Sequence, residues 1–141
     1  MRPISREAAQ HFMAGEAYSL GETDVIIDDS PDIIRVKLRV SNRDVIRYVC
    51  DAHERSLYIR AGAYPTRLTA DRINGVLQAM HRSGLLKQNA CYVECDTGQL
   101  QLIEAVGRKM VTPLERRSWY RLSVPEWETR NGQPYAPKAA S

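Results

Sequence analysis

Long apolar runs are missing from this 141-residue chain. Nothing approaches the roughly 20 consecutive apolar residues of a membrane-spanning helix, and Met1 to Met13 lacks the contiguous apolar segment of a secretory leader. The expectation is a soluble cytoplasmic protein that does not engage a membrane. Cysteine is scarce, with three residues, Cys50, Cys91 and Cys95. Cys91 and Cys95 fall in one candidate strand, where residues four apart have Cα atoms about 13 Å apart, too far for a disulfide, which needs them within about 7 Å. Cys50-x-x-His53 has no second pair at zinc-finger or ribbon spacing, so buried free thiols are expected and a metal site is not. The three histidines, His11, His53 and His81, are scattered and match no ligand or nucleophile signature. No Gly-x-x-x-x-Gly-Lys run cradles phosphate, and Asp28-Asp-Ser-Pro-Asp32 reads as a turn that lacks the spacing and closing Glu of a calcium loop. The sequence therefore predicts no catalytic constellation and no cofactor; an enzyme would need unfamiliar chemistry converging on Asp28, Asp32, His53 or His81.

What is present is the composition of a folded domain, 43% apolar and 26% charged. The chain is long enough to bury roughly two-thirds of its unfolded surface. The expected class is α+β: an antiparallel β-meander packed against one main α-helix, a short N-terminal helix, and an additional C-terminal hairpin and strand. The domain spans 1–130, with a Pro/Gly/Ala/Ser tail at 131–141. Ser5 to Met13 reads as the short helix, with Ser5 as N-cap, Ala9, Phe12 and Met13 on one face, and Gly15 as the stop. Val25 to Ile27 is a short strand that opens a hairpin. Strands at Ile34–Val40, Asp44–Cys50 and Ser56–Arg60 follow, joined by loops at Ser41–Arg43 and Ala52–Arg55. Thr69 is the expected N-cap of the main helix, Ala70–Arg82, which has Ile73, Val76, Leu77 and Met80 as its stripe and Gly84 as its stop. Cys91–Cys95 and Gln99–Ile103 form a second hairpin around Asp96-Thr-Gly98, and Trp119–Leu122 is a last strand.

Net charge is only +3, but its distribution is informative, because apolar Ile34, Val36, Leu38 and Val40 alternate with Arg35, Lys37 and Arg39. A three-residue loop after Val40 sets Ile34, Val36 and Leu38 on one face with Ile46, Tyr48 and Cys50, and the next loop adds Leu57 and Ile59. Arg35, Lys37, Arg39, Arg47 and Arg60 then share the other face, with Tyr58 among them. Like charges opposed on neighbouring strands repel, so something must relieve them. Solvent and counterions are one answer, at tenths of a kcal/mol per exposed pair. An anionic partner, nucleic acid or an acidic protein surface, is the other.

Several spacings together resemble a family of small proteins of tailed phages and prophages. Phe12, Gly15, Tyr18, Ser19, Gly21, Thr23 and Val25 match its opening, with Glu22 where Asn is usual; Leu38, Val40 and Asn42 match its central hairpin. The most specific stretch is Leu57-x-Ile59-x-x-Gly62-x-Tyr64-Pro65-Thr66-x-x-Thr69-x-x-Arg72-Ile73-Asn74, and Trp119-Tyr120-x-Leu122 with Trp127 closes the pattern. Ser123-Val124 replaces the family's turn, and Leu85–Arg117 is longer than the family pattern. The resemblance implies a scaffold and a source, the cytoplasm of a bacterial host, and brings no reaction with it. The function expected is a phage or prophage accessory protein that acts by binding, a host-takeover or anti-defence factor occupying a host protein or nucleoprotein complex through Arg35, Lys37, Arg39, Arg47, Tyr58 and Arg60. The alternative is a nucleic-acid-binding regulator using the same face.

Overall fold

The computed structural model describes residues 1–30, 33–51, 55–83, 91–106 and 108–122. Helix α1 (Pro3–Ala14) is followed by β1 (Tyr18–Leu20), β2 (Thr23–Asp29), β3 (Ile33–Val40), β4 (Arg43–Asp51) and β5 (Arg55–Ile59). Helix α2 (Arg67–Arg82) then leads to β6 (Cys91–Asp96), β7 (Gln99–Val106), β8 (Arg108–Pro113) and β9 (Tyr120–Arg121). The strands form two antiparallel sheets, one ordered β1-β2-β3-β4-β5-β9 and one ordered β6-β7-β8. The architecture is α+β, as the sequence predicts. No helix among the described residues is long and apolar enough to cross a membrane.

The first sheet turns one face to the helices. Val25, Val36, Leu38, Ile46, Tyr48, Leu57 and Ile59 are buried there with Phe12 of α1 and Ile73, Val76, Leu77 and Met80 of α2. Helix α1 packs on β2, β3 and α2, and α2 in turn carries β6. The same core takes in Val93, Leu100 and Leu102 of the second sheet, so one continuous apolar body holds both sheets. The free edge of β6 is closed by a side chain: Asn74 Nδ2 donates to the Val93 carbonyl at 2.9 Å, and the Val93 N–H donates to Asn74 Oδ1 at 2.7 Å. That pairing satisfies the Val93 backbone on an edge strand, where open main-chain groups would otherwise invite another chain.

Local chemistry explains both the agreements and the differences. Gly15 ends α1 in the left-handed region, as expected. Ser5, however, is not the N-cap. The helix starts at Pro3, whose missing N–H costs nothing at a first turn, and Ser5 is buried inside it against α2. Thr69 is not the N-cap of α2 either: Thr66 accepts the Thr69 N–H, while the Thr69 hydroxyl donates to the Tyr64 carbonyl at 2.8 Å. Both threonines hold the corner, and the helix begins one turn earlier than expected. The second hairpin is the first two strands of a three-stranded sheet, because the chain returns as β8. Strand β1 has only three residues and too little pattern to be seen in sequence. Gly84, the Ala52-His-Glu54 loop, Pro31, Asp32, Trp127 and the 131–141 tail lie outside the described residues.

The loop between β3 and β4 decides the electrostatics of the sheet. Ser41 and Asn42, both at positive φ, form a two-residue turn of the kind that suits strand twist. The third residue assigned to the loop, Arg43, pairs with Val40, and the extra residue falls in a bulge further on: Leu38 pairs with Ile46 but Arg39 with Asp44, leaving Val45 unpaired. The parity of Ile46, Tyr48 and Cys50 is therefore as expected, and Asp44 is brought opposite Arg39. Val45 turns into the core. A Cβ on Gly62, itself at φ +75°, would stand 2.9 Å from Val45 Cγ1, which accounts for glycine at that corner.

Candidate binding surface on the outer sheet face

The strand register assembles every predicted contact residue on the face turned away from the helices. One row runs Ile26, Lys37, Arg47, Tyr58, Arg121 across β2, β3, β4, β5 and β9. A second row holds Asp28, Arg35, Val49 and Ser56, and a third holds Asp24, Arg39 and Asp44. Arg60, one residue past β5, reaches the same face and donates from Nε to the Asp44 carbonyl at 2.6 Å.

Charge on this face is not uniform. Two of the three β3 cations are answered from within the protein: Lys37 Nζ lies 3.0 Å from Asp28 Oδ2, and Arg39 Nε lies 2.9 Å from Asp44 Oδ1. The hydrogen bond from Lys37, then its charge, holds the Asp28 carboxyl below its ordinary range. The cross-strand repulsion that the alternation predicts is thus relieved partly by carboxylates on β2 and in the β3–β4 bulge. Their contribution was not legible, because their register depends on where the extra residue falls.

The β4–β5–β9 half is different. Among the described residues Arg47, Arg60 and Arg121 form no ion pair there, Arg121 donating instead from Nε to Ser56 Oγ at 3.0 Å. The guanidinium carbons of Arg47 and Arg60 lie 4.5 and 4.2 Å from the ring centroid of Trp119. Each such contact is worth about 0.5–1 kcal/mol at a partly exposed site, enough to offset a repulsion of tenths between two arginines. Burial lowers the Arg60 pKa from its ordinary value; Asp44 opposes that shift, while Arg47 and Arg43 add to it. Arg47 Nε is enclosed and has no hydrogen-bond partner. A buried donor left unsatisfied costs about 1–3 kcal/mol, a cost that the stacking of Arg47 on Trp119 partly offsets.

Trp119, Arg121 and Arg117 are site residues that sequence reasoning missed. Trp119 was legible only as part of a closing strand, and nothing local says that the segment before β9 folds over β4 and β5. Arg60 anchors that segment by donating from Nη1 to the Arg117 carbonyl at 3.1 Å.

Other candidate chemistry is dispersed. His11 lies against the Tyr18 ring at 4.9 Å and its Nδ1 is 3.8 Å from Glu16; His81 is exposed on α2. Among the described residues no group of three His, Cys, Asp or Glu side chains could hold a metal ion. All three cysteines are free. Burial, with the charge of Glu104 opposite, pushes the Cys91 thiol up to about 12. Because the thiolate is the nucleophile, Cys91 should resist iodoacetamide at pH near 8 in the native protein and react once urea is added, while half-buried Cys95 reacts natively. Peptide mapping by mass spectrometry reads both; native labelling of Cys91 as fast as Cys95 would contradict this environment. Compared with known proteins, the chain matches no family model, no curated sequence and no solved structure.

Proposed function

We propose that this protein acts by binding, and that its contact surface is the outer face of the larger sheet, centred on Arg47, Tyr58, Arg60, Trp119 and Arg121. The observation that carries the reading is the pair of guanidiniums held over Trp119, beside the cross-strand row Arg47, Tyr58, Arg121. Arginine, tryptophan and tyrosine are the residues that dominate protein interfaces, and orienting arginine in advance reduces the entropy lost on binding. Three carboxylates, Asp24, Asp28 and Asp44, share the face, and a mosaic of both signs suits a protein surface better than a phosphate backbone. Taken with the resemblance to phage and prophage proteins, the partner is a bacterial host protein or nucleoprotein complex, and the role is that of an accessory, host-takeover or anti-defence factor in the host cytoplasm.

The test is affinity capture from bacterial lysate with tagged full chain, followed by binding measurements on the purified partner. Arg47→Glu with Arg121→Glu should weaken binding by about 100-fold or more, with the circular dichroism spectrum unchanged. Arg35→Glu with Arg39→Glu, on the internally paired half, should weaken it much less. Full retention of binding by the Arg47/Arg121 pair would reduce the face to solvated surface. Tight binding of DNA or RNA that falls steeply with salt would instead favour a nucleic-acid-binding regulator.

A further inference from the structure

The segment joining β8 to β9, Leu114 to Trp119, crosses from one sheet to the other along a path set by main-chain contacts. The Leu114 N–H donates to the Leu100 carbonyl at 2.9 Å, and the Ala61 N–H donates to the Glu115 carbonyl at 2.7 Å. On one side this segment lays Trp119 over Arg47 and Arg60. The same segment borders a recess of about 560 Å³, walled by Ala61, Pro65, Gly98, Gln99, Arg116 and Arg117 among others. Arg116 and Arg117 are exposed there. The Arg60 guanidinium touches both Trp119 and the Arg117 carbonyl, so the recess and the stacked arginines are neighbours.

We infer that this recess receives an acidic, extended segment of the partner protein, with Arg116 and Arg117 taking its carboxylates while the adjoining arginine face takes the rest of the surface. The inference rests on the reading of the outer face as the contact surface. Size argues for a peptide, since recesses of roughly 300–1,000 Å³ accommodate a small ligand or a few side chains, whereas a nucleic-acid duplex is far too wide to enter. Charge argues the same way, because two exposed guanidiniums stand against one carboxylate, Glu115, and arginine pairs carboxylates through two parallel N–H bonds. Single-stranded nucleic acid would want a bare aromatic platform, and the ring beside the recess already carries two of the protein's own guanidiniums.

Fluorescence anisotropy with the full chain tests this, using labelled oligoglutamate and an oligothymidylate of equal charge. Oligoglutamate should bind, about 10-fold or more weakly to Arg116→Glu with Arg117→Glu and almost unchanged to Arg35→Glu with Arg39→Glu. These two exposed arginines give their side chains to the surface, so folding should survive their reversal. No oligoglutamate binding, equal binding to the Arg116/Arg117 variant, or tighter binding of oligothymidylate would overturn the inference. If the purified partner is lost by the Arg47/Arg121 variant and kept by the Arg116/Arg117 variant, the recess assignment alone falls. Insensitivity to the Arg47/Arg121 change would remove the underlying reading as well.

Discussion

Arg72→Ala is expected to lower the free energy of unfolding by about 3–5 kcal/mol, the largest loss of any single truncation considered for this protein. Arg72 is 3% exposed, and its guanidinium ties together four parts of the fold. Nε donates to Thr23 Oγ1 at 2.9 Å, Nη1 to Ser5 Oγ at 2.8 Å and Nη2 to Glu22 Oε1 at 2.9 Å, with Asp71 3.7 Å away. The two hydroxyls pass on the charge: Thr23 donates to Glu22, and Ser5 donates to Asp71. Without the guanidinium, two carboxylates face the space it leaves with no cation between them, and the α1–α2–β2 junction contains a void. Urea denaturation reads the loss, and a change below about 1 kcal/mol would mean that water replaces the guanidinium freely.

The same network gives a pH dependence of known sign. The Glu22 carboxyl is held below its ordinary 4.5, first by its own backbone N–H and then by Arg72 and Thr23, with burial opposing. A carboxyl depressed in the folded state adds stability above its unfolded pKa and loses it as pH falls through the folded value. The urea midpoint should therefore fall on acidification below about pH 5, and Glu22→Gln should flatten part of that slope. Arg72→Ala should flatten it less, because the backbone N–H remains.

Gly75→Ala is expected to destabilise the protein by about 2 kcal/mol, although the same change stabilises an isolated helix by about 1 kcal/mol. A Cβ at Gly75 would stand 2.7 Å from the Ser5 carbonyl oxygen and 3.2 Å from its carbon. The obstacle is main chain, so it cannot be rotated away. Relief requires α1 to move off α2, which stretches the Arg72 bond to Ser5. Urea denaturation of the full chain should show the loss, while a peptide spanning α2 should gain helicity by circular dichroism. A stabilised full chain would show that the helices tolerate wider spacing.

These residues mark where sequence reasoning reached. Gly62, Thr69, Arg72 and Asn74 stood out as one spaced motif, legible as scaffold, but the spacing could not say what each side chain holds. Arg72 acts on Ser5, Thr23 and Glu22, which lie 49 to 67 positions away, and Asn74 acts on a strand edge formed later in the chain. The outer face was legible in the same partial way. The alternation in β3 placed Arg35, Lys37 and Arg39 together, whereas the pairing of two of the three β3 cations with Asp28 and Asp44, and the arrival of Trp119, depended on register and chain return.

By itself, then, the sequence determined what repeats at short range: the inward and outward sides of β3, β4 and β5, the apolar stripe of α2, the Gly15 stop, and the separation of Cys91 from Cys95. Period-two and period-3.6 patterns are local, and burial of one face enforces them. The tertiary structure alone decided which cations are paired with carboxylates and which are stacked on Trp119. A one-residue bulge at Val45 carries Asp44 to Arg39, and a crossing segment carries Trp119 to Arg47 and Arg60. Charge pairing is a matter of a few ångströms between distant residues, and only the completed packing of two sheets and two helices sets those distances.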